Sequence, residues 1–356
     1  MEGFDLKIDP IWKHKDVVGI DVGSKTIKFV QLKKNGKLTK LVGYGQVPVP
    51  ENYIIEGIIA EPEKLSEIIK KYFGESTWGK ITAKRVSASL PESKIFTHLV
   101  TLPQKSTKEM TEAVLWEASQ TIPMAMTDLY LDWQVIGPSD VEKDMLDVIY
   151  TAAPRAIVDS YVQLFTILGL DIETVETNLL SIVRAIVPQK KNSVATLIID
   201  IGGKSTNLAI VDKYIRITGS TLLGGDQLTF RVSQALGIDE AKAAKSLTVK
   251  NDKERAQISQ ALDSEITEIT KEATRVINYF EERNNNQRKI EKVLLCGGSA
   301  ALPTLVDVFT EKLGIKTEIG NPWSNISIYP IKSIPKEDVP GYTNAVGLAL
   351  LGVTDD

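Results

Sequence analysis

Two stretches of this chain carry the same chemically useful residues in the same order. In Val17 to Leu32, Asp21 is followed by Gly23, Lys25 and Thr26; in Leu197 to Val211, Asp200 is followed by Gly202, Lys204 and Ser205. Each places a carboxylate at the end of an apolar run, then a turn of glycine and small residues. Such a turn between two strands leaves backbone N–H groups pointing one way, and the resulting concavity binds anions. Glycine there also lets phosphate oxygens approach without meeting a Cβ. Ser24, Thr26, Ser205 and Thr206 add hydroxyl donors, and Lys28, seven residues after Asp21, stands where it can neutralise a phosphate. Carboxylates repel phosphate, but Asp21 and Asp200 facing each other across a cleft suit Mg²⁺ held through its waters, because that ion keeps much of its hydration shell. Either stretch alone reads as an ordinary glycine turn. Their shared register makes them two halves of one phosphate clamp.

A third stretch, "VLLCGGSAALPTL", reads as strand, double glycine, small residue and helix, suited to a flat base or ribose passing close to Gly297, Gly298 and Ser299. "GGKST" at 202–206 is not a P-loop. That motif needs a glycine five residues before its GK[ST] glycine and a helix directly after it. Position 198 is Ile, and "NLAIVDKYIRI" reads as strand.

The elements that must position these loops follow from periodicity. Asn35-Gly36 is a two-residue hairpin signal between two strands. Leu65, Ile68, Ile69 and Tyr72 mark a helix over 62–72. From 85 to 172 the pattern is β-β-α-β-β-α: "RVSASL" and "FTHLVTL" pair around Pro91-Glu92. Ser106 with Glu109 forms a capping box, Pro154 opens a second helix and Gly169 ends it. A strand "DIETVET", a helix from Asn178 to Ile186 and a polar link at Lys190–Asn192 lead to the second half. There the hairpin recurs, and Ile258, Leu262, Ile266, Ile269, Ala273, Val276 and Phe280 predict one long amphipathic helix.

A length of 356 residues implies two domains. A net charge of −4 excludes a general affinity for nucleic acid. Cys296 is the only cysteine, so no intramolecular disulfide forms and a reducing cytosol is expected. The N-terminus lacks a signal-peptide core, and no run of 18 apolar residues predicts a membrane span.

The three motifs, in this order, resemble those of the actin/Hsp70/sugar-kinase superfamily of ATP-binding proteins. Asp21-x-Gly23-Ser24 with Lys28 resembles the first phosphate loop, Asp200-x-Gly202-Gly203 the second, and Gly297-Gly298-Ser299 the adenosine motif. Helices starting near Asn178 and Thr343 resemble the two connecting helices at the hinge. Within the superfamily the chain is most similar to the PilM family, actin-like components of type IV pilus assembly related to the division protein FtsA. That likeness spans Val17 to Leu351, with "LLGGDQLT", "LGIDEAKAAK" and "GNPWSNI" carrying it. The amphipathic anchor typical of the FtsA C-terminus has no counterpart in "LALLGVTDD".

The resemblance implies an α/β, duplicated actin-like (RNase H-like) two-domain fold with an FtsA/PilM-type inserted subdomain. Residues 14–84 with 173–190 and 343–356 would form the core of domain 1, and 85–172 the insertion. Residues 191–234 with 286–342 would form the core of domain 2, and 235–285 its helical subdomain. It implies ATP and Mg²⁺ as ligands, the metal held through water by Asp21 and Asp200. ATP contacts would come from Gly23, Ser24, Lys25 and Lys28, and from Gly202, Gly203, Lys204, Ser205 and Thr206. Gly225 and Asp226 would lie near ribose and phosphates, Lys242 and Lys245 near the adenosine, with Gly297, Gly298, Ser299 and Leu302 completing the set. Relatives carry Glu where this chain has Lys242, and a lysine cannot accept a ribose hydroxyl proton. Glu176 resembles a glutamate that positions attacking water in some relatives and joins Asp21 and Asp200 as a catalytic candidate.

The resemblance further implies an adaptor that closes on nucleotide, hydrolyses it slowly or not at all, and binds the cytoplasmic N-terminal peptide of a PilN-type inner-membrane protein. Its place would be the cytoplasm, at the inner face of the membrane through that partner. Pilus assembly ATPases and self-association are further expected contacts. Two other readings share the fold: a sugar or acid kinase, which needs a general base in the cleft, and an FtsA-like filament protein.

Overall fold

Apolar runs bounded by glycine turns build the first sheet. Val17–Val22 (β1) is almost wholly buried and turns through Gly23–Lys25 into Thr26–Asn35 (β2). Asn35-Gly36 then reverses the chain into Leu38–Pro48 (β3), as the hairpin signal predicts. A small hairpin of Ile54–Ile55 (β4) and Ile58–Ile59 (β5) precedes Pro62–Gly74 (α1), which buries Leu65 and Ile69. Trp78–Gly79 (β6) pairs with β3, and Arg85–Leu90 (β7) runs parallel to β1. The computed structural model describes residues 16–75, 77–139, 142–188, 194–239, 251–284, 286–331, 333–336 and 338–353.

After β7 comes a separate antiparallel sheet with one helix: Phe96–Pro103 (β8), Thr107–Thr121 (α2), Leu129–Pro138 (β9) and Met145–Pro154 (β10), in the order β8-β10-β9. Both hydrogen bonds of the Ser106/Glu109 capping box are present at the start of α2. Leu102, Val114, Val148 and Tyr150 give this unit its own core. Arg155–Leu168 (α3) follows, closed by Gly169 in the left-handed conformation, then Asp171–Thr177 (β11) and Asn178–Ile186 (α4).

One expectation needs correction here. β7 does not pair with β8 across Pro91-Glu92; it lies between β1 and β11, parallel to both. A strand buried on both faces reads as a continuous apolar-and-small run, and a nearby turn signal makes it look like half of a hairpin. α3 likewise buries Ile157, Tyr161, Leu164 and Phe165 with Val86 and Ala88 of the first sheet. The inserted sheet therefore runs from Phe96 to Pro154, inside the expected 85–172.

The second sheet opens with Thr196–Ile201 (β12), Thr206–Asp212 (β13) and Tyr214–Thr221 (β14). Gly225–Leu236 (α5) and the 32-residue Asp252–Arg283 (α6) cover it, and α6 buries each of the seven apolar positions its spacing singled out. Lys292–Cys296 (β15), Leu305–Leu313 (α7) and Thr317–Ile319 (β16) complete the half. Ile326–Ser327 (β17) returns to pair with β3, and Thr343–Leu350 (α8) ends the fold.

The two sheets have one topology. β3-β2-β1-β7-β11 in the first matches β14-β13-β12-β15-β16 in the second, each an antiparallel meander followed by two parallel strands. The connecting helices are exchanged between them. α4 follows the first sheet in sequence but packs Leu179, Ile182 and Val183 on Ile198 and Ala209 of the second. α8 packs Ala345, Val346 and Ala349 on Val30 and Leu32 of the first. Within the expected 173–190 piece of domain 1, β11 thus joins the first sheet while α4 faces the second. The two helices touch where a Cβ on Gly347 would fall 1.8 Å from the Ser181 carbonyl oxygen, so only glycine permits the approach.

The inserted sheet also reaches the second half. Asp147 on β10 accepts hydrogen bonds from Thr101 Oγ1 (3.0 Å), Tyr214 Oη (3.2 Å) and Arg216 Nη1 (3.0 Å). The Arg216 guanidinium stacks 4.0 Å from the Tyr214 ring centre.

Candidate functional site

Asp21 and Asp200 close β1 and β12, and each stands at the centre of the same four-way arrangement. Across the antiparallel neighbour, Asp21 pairs with Lys28 and Asp200 with Asn207. Across the parallel neighbour, Asp21 pairs with Ser89 and Asp200 with Cys296. An asparagine from an exchanged helix reaches each: Asn344 Nδ2 donates to Asp21 Oδ1 at 2.8 Å, and Asn178 Nδ2 to Asp200 Oδ2 at 3.3 Å. The turns beyond them repeat as well. Gly23 N–H donates to the Thr26 carbonyl (3.1 Å), and Gly202 N–H to the Ser205 carbonyl (3.0 Å).

Both loops open into one cleft of about 760 Å³ between the halves. Its floor and walls include Asp21, Gly23, Ser24, Lys25 and Lys28 from the first half. Gly202, Gly203, Lys204, Ser205, Gly225 and Asp226 face them, and Gly297, Gly298 and Ser299 form the third side. Lys25 Nζ lies 2.7 Å from Asp226 Oδ1 and ties the loops across the gap. A Cβ on Gly225 would fall 1.7 Å from Ser299 Oγ, so glycine at the start of α5 is what brings that helix onto the third loop.

Three sequence expectations fall elsewhere, and two lie on residues the structure does not describe. Glu176 does not line the cleft; Arg184 grips it with both guanidinium nitrogens, at 2.6 and 2.8 Å. Thr206 is fully buried and donates its hydroxyl to the Leu223 carbonyl at 2.7 Å, so that group is used within the fold. Leu302 packs in the second half's core with Leu305 and Phe309. Lys242 and Lys245 lie outside the described residues.

The structure adds cleft residues that were not singled out: Ser89, Glu92, Asn178, Asn207 and Asn344. Asn207 was within reach of the sequence, since it repeats the offset of Lys28 from Asp21. The other four arrive from distant segments. Asn344 Nδ2 also contacts Ser89 Oγ at 2.8 Å, and its Oδ1 accepts from Ser181.

Burial dominates the electrostatics. It raises the Asp21 carboxyl above its ordinary value, against the lowering influence of Lys28 and Asn344. Burial, then the charge of Asp21, pushes Asp200 up to about 6. Burial, then the charge of Asp200, pushes Glu92 up to about 8. The same two causes raise the Cys296 thiol well above its usual range. Three buried oxygens here have no hydrogen-bond partner among the described residues: Asn178 Oδ1, Asn207 Oδ1 and Glu92 Oε2. The two amide oxygens can only accept hydrogen bonds, as does the Glu92 carboxylate when ionised, so the arrangement favours a ligand that brings donors or positive charge.

Two α/β halves of one topology, with paired aspartate-glycine loops facing a shared cleft, define the actin-like ATPase fold. Cell division protein FtsA of Streptococcus pneumoniae serotype 2 is 21% identical over 348 residues, covering 85% of this chain and 74% of that protein. A chain described as a PilM-PilN type IV pilus biogenesis complex superposes with a TM-score of 0.79 at 24% identity, covering 96% of this chain and all of that one. MreB 5 of Spiroplasma citri, solved bound to AMPPNP, superposes at 0.51 with 12% identity, covering 95% and 96%. The family model described as type IV pilus assembly protein PilM matches residues 19–353. The chain belongs to that family.

Proposed function

We propose that this protein is an ATP-binding, actin-like adaptor of the type IV pilus assembly platform. The observation that carries the reading is the matched placement of Asp21 and Asp200, each ending a strand beside a glycine loop and facing one cleft. Gly23, Ser24, Lys25 and Lys28 hold phosphate from one side, and Gly202, Gly203, Lys204 and Ser205 from the other. Gly297, Gly298 and Ser299, with Gly225 and Asp226, take the nucleoside.

The residues present fit Mg²⁺. Carboxylate and amide oxygens are the donors that a hard cation prefers. The orphaned acceptors Asn178 Oδ1 and Asn207 Oδ1 suit water molecules that the ion carries. Asp21 and Asp200 act on the ion through its waters, since Mg²⁺ keeps much of its hydration shell. Bound there, the cation neutralises phosphate charge.

Nucleotide draws the halves together, since Ser24 and Gly203 approach across the gap and Lys25 already reaches Asp226. Hydrolysis is slow or absent, because the Arg184 fork withholds Glu176 from any attacking water. A kinase would need a general base in the cleft, and His98 does not supply one, since it stacks on Tyr150 in the inserted sheet. The partner is the cytoplasmic N-terminal peptide of a PilN-type inner-membrane protein, supported by the PilM-PilN likeness. Among the described residues no helix is long and apolar enough to cross a membrane, so that partner would hold the protein at the inner face.

Calorimetric titration with ATP, in Mg²⁺ and in EDTA, tests the ligand; absence of binding in Mg²⁺ sinks the reading. Phosphate release faster than about 1 s⁻¹, an ordinary enzyme rate, overturns slow hydrolysis. Fluorescence anisotropy with a synthetic PilN N-terminal peptide tests the partner, and no change in anisotropy removes it.

A further inference from the structure

Glu92 has no part in the reading above, yet it occupies a defined place in the duplicated plan. Ser89 on β7 pairs with Asp21, and Cys296 on β15 pairs with Asp200. Three residues beyond each partner lie Glu92 and Ser299, so Glu92 is the first half's counterpart of the third loop's serine. Both line the cleft.

The Glu92 backbone is set by a single 3₁₀ turn, in which Lys94 N–H donates to the Pro91 carbonyl (2.9 Å) and Ile95 N–H to that of Glu92 (3.3 Å). The residue is 7% exposed. The Leu179 amide N–H, in the first turn of α4, is close enough to its carboxylate to lower the pKa against burial, the influence of a helix N-terminus on an acid placed to cap it. One of the carboxylate oxygens, Oε2, is buried without a partner among the described residues. A half-satisfied buried carboxylate beside Asp200 is destabilising for the protein alone. A neutral side chain would cap α4 without that penalty.

We propose that Glu92 is a third acidic residue of the nucleotide site, a positioning residue that holds through Oε2 a water carried by the bound cation. This rests on the reading that the cleft takes ATP with Mg²⁺. Because the same carboxylate caps α4, and α4 delivers Asn178 to Asp200, Glu92 ties the cation's hydration shell to a hinge helix.

Three variants of the full chain test it: Glu92→Gln keeps the volume and a capping oxygen, Glu92→Asp keeps the charge, and Glu92→Ala removes both. The quantity read is the gain in ATP affinity that Mg²⁺ confers over EDTA, with thermal unfolding of the nucleotide-free protein alongside. Loss of an outer-shell partner typically lowers metal affinity about 10- to 100-fold. Glu92→Gln is therefore expected to reduce the Mg²⁺ gain about tenfold or more, leaving affinity in EDTA unchanged, while the melting temperature of the nucleotide-free protein holds or rises as the buried charge is removed. Glu92→Asp should recover part of that gain. A Glu92→Gln protein with the wild-type Mg²⁺ gain, or with equal losses in Mg²⁺ and EDTA, reduces Glu92 to a helix cap and overturns the proposal. Failure of the wild-type protein to bind ATP in Mg²⁺ overturns the nucleotide reading itself, a separate result.

Discussion

Asp147 and Asp200 are both buried carboxylates where the two halves of the molecule meet, 3% and 8% exposed, but their surroundings differ in kind. Asp147 is complete: a threonine, a tyrosine and a charged arginine donate to it at 3.0–3.2 Å. Asp200 receives two long contacts from neutral amides, at 3.3 and 3.4 Å, and a thiol at 3.9 Å. Asp21 adds a second negative charge nearby. The first arrangement holds the inserted sheet to the second half. The second is left short of positive charge, which destabilises the protein alone and favours a cationic ligand.

The largest effect is expected at the complete site. Arg216→Met leaves Asp147 buried without its counter-ion, and breaking such a pair costs about 3–5 kcal/mol. Urea unfolding reads it, and a loss under about 1 kcal/mol, the range of an exposed pair, would erase the contrast.

Asp200 should behave in the opposite way. Its folded value of about 6 lies above the ordinary 3.8, so its stabilising contribution is fully present below 3.8 and lost as pH rises through 6. The loss is on the order of 3 kcal/mol. In EDTA, melting temperature should fall across that window, and Asp200→Asn should flatten the fall and raise stability at pH 8 while abolishing the Mg²⁺ gain in ATP affinity. Glu92, displaced from 4.5 to about 8, adds a further decline as pH rises through 8, which Glu92→Gln should remove. Stability that holds level from pH 4 to 8 would contradict both.

The smallest effect belongs to the exposed tie across the cleft. Lys25 and Asp226 are 61% and 34% exposed, so Lys25→Met should change the unfolding free energy by no more than about 1 kcal/mol. A larger change would mean that the cleft is braced by this pair.

Local rules made much of this legible in sequence. The Asn35-Gly36 hairpin, the Ser106/Glu109 box, the Gly169 cap and the α6 stripe depend on neighbours a few positions away. The paired loops were legible because duplication wrote them twice. The position of β7 was not, since a strand buried on both faces carries no alternation to separate a hairpin partner from a central strand. Glu176 was misplaced for a related reason: its fork from Arg184 forms only once α4 starts at Asn178 and turns that arginine back. Asn344 reaches Asp21 across nearly the whole chain, a pairing no local pattern encodes.

The exchange of α4 and α8 has one more consequence. Each sheet has a face finished by the helix that follows the other sheet in sequence, and each aspartate takes its asparagine from that borrowed helix. This is the geometry of a homodimer that swapped its terminal helices and was then fused into one polypeptide. Neither repeat, cut out between α4 and β12, would carry the helix that finishes its own sheet.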